Sequence, residues 1–179
     1  MPADDRKLAP WEMGRVAPER YRELVRRPVR VVLDDVRSRH NVGSIFRTAD
    51  AFGIEALVLC GLTPVPPHRE IEKTALGATL SVPWTHATDA LAAVRALQRE
   101  GFRVWCVEQT VKAVPFHRAP LGTEGPIALV LGNELHGVGD ALIAACDGCI
   151  TVPQHGSKHS LNVAVCAGVV LWWAAGRAH

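Results

Sequence analysis

Apolar positions along this chain fall into two rhythms. Short unbroken runs rich in β-branched residues alternate with longer stretches in which apolar residues recur every three or four positions. The runs at 29–33, 54–60, 102–107, 127–131 and 149–152 predict buried strands, and residues 82–84 a brief extended piece. The helical rhythm predicts a helix from a cap at Asn41 to about Phe52, with Ile45, Ala49 and Phe52 on one face and Gly53 as its stop. A short helix is expected over 68–76. Another opens at Thr88, turns Leu91, Val94 and Leu97 inward and ends at Gly101. Two more follow, one over 140–145 and one capped by Ser160 and running to about Ala175. Strands alternating with helices predict an α/β fold, a mostly parallel sheet with helices on both faces. Residues 1–28 read as an N-terminal extension. Residues 29–179 read as the single domain that a 179-residue chain can build around a full core.

The last helix has an unusual pattern. Leu161, Val165, Val169 and Trp172 follow one line, and Val163, Ala167, Val170 and Leu171 widen the stripe nearly all round. A helix apolar on every side must be covered on every side. Core packing and a subunit interface both satisfy that demand. The run is shorter than the roughly 20 residues a bilayer needs, so no membrane partner is expected.

Composition adds modest constraints. At 48% apolar and 21% charged residues the chain reads as an ordinary globular protein. A formal charge of +2 permits nucleic-acid binding without requiring it. Basic residues, Arg15 and Arg22 among them, are frequent in the first thirty positions. They form either a solvated mixed-charge helix or a phosphate-contacting arm. Of the five cysteines, Cys60, Cys106 and Cys166 lie in apolar runs, where buried free thiols are the default. Cys146 and Cys149 make a lone C-x-x-C with no second pair, and His155 and His159 flank a Gly-Ser loop, so no metal site is expected. The odd thiol count and the lack of a secretory leader point to the cytoplasm.

Candidate chemistry concentrates in three segments. Neither G-x-G-x-x-G nor G-x-x-x-x-G-K-[ST] occurs, so no familiar phosphate cradle is signalled. Instead, two glycine-punctuated loops leave buried strands: Leu131-Gly132-Asn133-Glu134-Leu135-His136-Gly137, and Val152-Pro153-Gln154-His155-Gly156-Ser157-Lys158-His159-Ser160-Leu161-Asn162. Gly132 permits close approach to the backbone, Pro153 stiffens the exit of its strand and Gly156 allows a bend. The carboxyl ends of parallel strands are where ligands sit. A pocket built from these loops suits an adenosine with a short zwitterionic tail better than a polyphosphate. Upstream lies Asn41-Val42-Gly43-Ser44-Ile45-Phe46-Arg47-Thr48-Ala49-Asp50. Gly43 and Arg47 share a helix face, leaving room beside Arg47 for a phosphate or ribose near a helix N-terminus. Pairing of Arg47 with Asp50 is the competing reading.

Together, in order and over about residues 29–175, these segments resemble the three signature motifs of the SpoU/TrmH family, RNA ribose 2′-O-methyltransferases of the SPOUT superfamily. The resemblance implies a C-terminal trefoil knot, a rare exception to ordinary connection rules. It implies that the knot binds S-adenosylmethionine, with Gly132, Asn133, Val152, Pro153, Ser160 and Leu161 as the binding positions and Glu108 to Thr110 as a further wall. It also implies a homodimer with composite active sites. Arg47, Asn41, Glu134, Ser160 and Asn162 match the catalytic positions. Family accounts give the matching Arg the activating role. Its very high pKa favours instead an electrostatic clamp on the developing alkoxide. Asn41 and Asn162 serve either as substrate contacts or as loop supports, and Glu134 positions Arg47 or Asn41.

Motif three departs from many relatives in its polar Gln154–His159 stretch, where Lys158 either touches RNA or is solvated. Arg69 and Lys73 are plausible phosphate contacts. The short basic extension, in place of a separate RNA-binding domain, favours tRNA over rRNA as substrate. A non-catalytic RNA-binding protein and a base-nitrogen methyltransferase are the alternatives.

Overall fold

The computed structural model describes residues 6–14, 25–120 and 125–177. Arg15 and Arg22 lie outside them. Seven strands form one sheet in which every pairing is parallel: β1 (Arg27–Asp34), β2 (Ile54–Cys60), β3 (Trp84–Ala87), β4 (Arg103–Val107), β5 (Val114–Pro115), β6 (Ile127–Leu131) and β7 (Gly148–Thr151). Their spatial order is β3-β2-β1-β6-β4-β7-β5. The helices are α1 (Arg39–Ala51), α2 (Arg69–Ala75), α3 (Ala78–Ser81), α4 (Ala90–Arg99), α5 (Asp140–Ala145) and α6 (Val163–Ala175). Two 3₁₀ turns, Pro10–Met13 and Phe116–Arg118, complete the described elements.

The sheet is covered on both faces, as the alternation of patterns predicts. Every residue of β6 is buried, because its side chains meet helices above and below. One core cluster gathers Val31, Leu33, Ile45, Phe46, Leu129 and Leu171 between the sheet and α1, α2 and α6. The other gathers Val32, Val94, Leu97, Val130 and Leu142 beneath α4 and α5. Adjacent residues of one strand, such as Val31 and Val32, therefore feed opposite cores. Among the described residues, no helix is long and apolar enough to cross a membrane.

Local chemistry moves several predicted boundaries. Ser38, not Asn41, caps α1: its hydroxyl accepts from the Asn41 backbone N–H at 3.3 Å. Asn41 thus sits inside the first turn with its amide free to point elsewhere. Asp89, not Thr88, caps α4 by accepting from Leu91 and Ala92 N–H, and Leu91 is partly exposed. Asn162, not Ser160, caps α6, accepting from Ala164 N–H at 2.9 Å and Val165 N–H at 3.3 Å. In each case the residue whose oxygen reaches the free N–H groups of the first turn sets the start. β1 begins earlier than the apolar run suggests, since Arg27 N–H bonds the Gly53 carbonyl at 2.8 Å. The two-residue strand β5 has no sequence signal of its own.

Candidate active site

Three loops leave the carboxyl ends of β4, β6 and β7 on the same edge of the sheet. With the start of α6 they enclose a cavity of about 840 Å³. Gly132, Asn133 and Glu134 come from the β6 loop; Val152, Gln154, His159, Ser160, Leu161 and Asn162 come from the β7 loop. Glu108, Gln109 and Thr110, after β4, form a third wall. Of the proposed cofactor positions, only Pro153 stays off the lining; it is exposed between two lining neighbours.

The β6 loop owes its shape to contacts within itself. Asn133 and Gly137 exchange backbone hydrogen bonds at 2.9 and 3.1 Å. A Cβ on Gly132 would lie 2.3 Å from the Gly137 carbonyl carbon and 2.4 Å from Val138 N. Gly132 is therefore required by the loop's own backbone, a packing demand that stands beside the ligand approach expected of it. The buried Asn133 side chain donates to the Asp35 carbonyl at 2.7 Å and accepts from Leu135 and His136 N–H, tying the loop to the end of β1. A buried amide with its valences filled in this way rigidifies the turn.

A hydrogen-bonded path joins the three candidate segments. Glu134 accepts from Arg37 N–H and Ser38 N–H at 3.1 Å each, and from Asn41 Nδ2 at 2.9 Å. Asn41 Oδ1 accepts in turn from Asn162 Nδ2 at 3.1 Å, while Asn162 Oδ1 caps α6. Partial burial works to raise the Glu134 carboxyl. The donors of Asn41, its own backbone, Arg37 and Ser38 outweigh that and hold it below its ordinary value. Glu134 thus touches Asn41 and not Arg47.

Arg47 is exposed and does not line the cavity. Six residues separate it from Asn41, about 9 Å along the axis and about 240° around it. The path at the first turn and the guanidinium further along therefore face different ways. Among the described residues Arg47 has no hydrogen-bond or ion-pair partner, and the Asp50 carboxylate receives the Ser81 hydroxyl instead of pairing with it. The space expected beside Arg47 at Gly43 is filled. A Cβ there would stand 2.1 Å from Thr74 Oγ1 and 2.3 Å from the Ile71 carbonyl oxygen. Gly43 lets α2 pack directly on α1, which corrects the expectation of a phosphate or ribose niche.

The proposed RNA contacts Arg69, Lys73 and Lys158 are all exposed. The expected wall at Glu108 to Thr110 gains a specific contact, and one lining feature, Cys166, went unread in the sequence. Gln109 donates its side-chain amide to the His159 carbonyl, bridging the β4 and β7 loops. Cys166, taken for a plain buried thiol, lines the cavity; burial first, then the Glu108 carboxylate, push its thiol up to about 11. Its position four residues after Asn162 was the available signal, since that spacing shares a helix face.

Similarity to known proteins agrees with this geometry. A family model described as the SpoU rRNA Methylase family matches residues 28–172. The chain belongs to that family. A 23S rRNA (guanosine-2′-O-)-methyltransferase RlmB of Vibrio parahaemolyticus is 35% identical over 148 residues, 82% of this chain and 58% of the relative. The same-named protein of Ralstonia nicotianae is 36% identical over the same shares. The chain thus spans less than two thirds of the curated relatives it matches. Among solved structures, the SpoU fold recurs in the AdoMet-bound rRNA methyltransferase of Sinorhizobium meliloti, with TM-score 0.76 and 28% identity over 86% of this chain and 59% of that one. It recurs in the TrmH/SpoU tRNA modifying enzyme of A. aeolicus, with TM-score 0.78 and 26% identity over 89% and 81%. The preference for tRNA expected from the short extension finds no support in the SpoU relatives named for 23S rRNA. Extension length is a poor guide, because RNA choice rests on shape read over a broad surface.

Proposed function

We propose that this SpoU protein transfers a methyl group from S-adenosylmethionine to a ribose 2′-hydroxyl of RNA, with ribosomal RNA favoured as substrate. The observation that best supports this is the Glu134–Asn41–Asn162 path, which ties all three motif segments together at the cavity. The cavity suits the cofactor in size, falling within the range of small-molecule sites. Leu131, Val152 and Leu161 offer apolar surface to a nucleoside, and the loop backbones offer donors and acceptors. When bound, S-adenosylmethionine supplies an electrophilic methyl group.

The chain's own residues do the rest. Gly132, Asn133, Val152, Ser160 and Leu161 hold the cofactor, and Pro153 fixes the chain's exit from β7. Asn41, Glu134 and Asn162 keep the loops in register, and Ser160 lies beside them for a polar contact with substrate. Arg47 stabilises the alkoxide that forms as the 2′-hydroxyl loses its proton, and holds a neighbouring phosphate. Because Arg47 does not line its own chain's cavity, it acts in a homodimer, beside the cavity of the partner subunit. Arg69, Lys73 and Lys158, with Arg15 and Arg22 of the extension, contact RNA phosphates. Residues 29–179 form the catalytic domain, in the cytoplasm. Its C-terminal part is knotted, a reading supported by the chain's return from β7, three places from β1 beyond β6 and β4, to lay α6 against α1 and β1.

The test is to digest total RNA to nucleosides from cells with and without the gene and compare them by mass spectrometry. Loss of a ribose-methylated nucleoside is expected. Loss of a base-methylated one would make this a base-nitrogen enzyme, and no change would leave a non-catalytic RNA-binding protein.

A further inference from the structure

The charge on the cavity wall is one-sided. Its described lining includes Glu108, Glu134 and Asp140 and no lysine or arginine. These three carboxylates are not equivalent. Glu134 is exposed and committed to Asn41 and the backbone of Arg37 and Ser38. Asp140 is exposed at the start of α5. Glu108 is half-buried, at the carboxyl end of β4, between the β6 loop and α6.

Its position is fixed from both sides. Oε2 accepts from Val138 N–H at 3.0 Å, and Oε1 accepts from Gln109 N–H at 2.7 Å. Gly137 passes so close that a Cβ there would sit 2.1 Å from Oε2. Each oxygen keeps a lone pair for another donor. Half removed from water, this carboxylate acts through a lower dielectric than the exposed pair, so its field in the cavity is the least screened.

The proposed donor and its product differ in charge where that field acts. S-adenosylmethionine carries a sulfonium, an ammonium and a carboxylate, for a net charge of +1. Loss of the methyl cation leaves S-adenosylhomocysteine, a thioether of net charge zero. A wall to which its own chain gives fixed negative charge and, among the described residues, no lysine or arginine holds the first more tightly than the second. We infer that Glu108 is the specificity-determining residue that distinguishes the charged methyl donor from its neutral product, and so favours product release after each transfer. This rests on the reading that the cavity binds S-adenosylmethionine.

The experiment is calorimetric titration of the parent chain, Glu108→Gln and Glu108→Asp with S-adenosylmethionine, S-adenosylhomocysteine and sinefungin. Sinefungin replaces the sulfonium with a charged amine. For Glu108→Gln, affinity for the two cationic ligands is expected to fall about tenfold, as loss of one partly screened charge predicts. Affinity for S-adenosylhomocysteine should fall less than about twofold, because the glutamine oxygen still accepts from Val138. Glu108→Asp should keep the parent's preference for cations even if it binds everything more weakly. Equal losses for all three ligands in Glu108→Gln would make Glu108 a loop brace only and overturn the assignment. A parent chain that binds none of them would overturn the cofactor reading itself, a distinguishable result.

Discussion

At the scale of single residues, the site depends on side chains that connect loops as much as on any that face substrate. Asn41 is the middle of the path: its amide N–H donates to Glu134, and its oxygen accepts from the Asn162 amide. The Glu134 carboxyl is held below its ordinary value, so its stabilising contribution is present above about pH 4.3, the usual glutamate value. That contribution is lost as pH falls through the lower folded value. Thermal melts of the parent should lose stability over that acid range, and Glu134→Gln should lose less there while being weaker at neutral pH. Gly43 sets two effects against each other. Alanine gains about 1 kcal/mol of helix propensity over glycine. Its Cβ, however, would collide with the Ile71 backbone oxygen, which cannot swing aside as Thr74 can. Overpacking costs about 1–3 kcal/mol, so Gly43→Ala should be destabilised overall in denaturant unfolding, and a Thr74→Ala background should not rescue it. Arg47→Ala should retain near-parent affinity for S-adenosylmethionine and lose about a hundredfold or more in methyl transfer, the scale of a lost transition-state donor. Parallel calorimetry and turnover assays read both; near-normal turnover would remove Arg47 from the mechanism.

At the scale of elements, α6 carries the most information. Val163, Ala167, Val170, Leu171 and Ala174 are buried against the sheet, as the all-round apolar pattern demands. The line noted in the sequence faces outward instead: Val165 is 56% exposed and Trp172 66%. An apolar stripe left uncovered on a helix whose other side is full is what a second subunit would cover. Sedimentation should find the parent dimeric and a Val165→Asp, Trp172→Asp double variant monomeric. That variant should lose about a hundredfold in transfer, the scale expected when reacting groups are misplaced. A monomeric and fully active parent would remove the composite-site reading. Element type was legible in the sequence because strands and helices impose different periods. Element starts were less so. Ser38 and Asn41, or Ser160 and Asn162, are all competent caps; at α1 Asn41 is engaged by Glu134 while Ser38 caps, and at α6 Asn162 caps through its oxygen while its amide nitrogen reaches Asn41.

At the scale of the whole molecule, the sheet order brings β4, β6 and β7 side by side although long segments separate them in sequence. The cavity is a product of that order. The alternation of strands and helices made a parallel sheet legible, and the buried-strand patterns located the loops at its carboxyl edge. The position of Arg47 outside its own cavity was not legible, because Asn41 and Arg47 of one motif look adjacent in sequence while the helix turns them apart. Nor was the packing use of Gly43, which depends on α2, a neighbour chosen by the fold. The central claim concerns the whole assembly acting on RNA. The most direct test incubates the purified chain with ribosomal RNA from cells lacking its gene and S-adenosylmethionine bearing a deuterated methyl group. The RNA is then digested and its nucleosides weighed. The label should appear on a ribose-methylated nucleoside and be absent with Arg47→Ala. Label on a base, or no labelled nucleoside from a chain that binds the cofactor, would contradict the account.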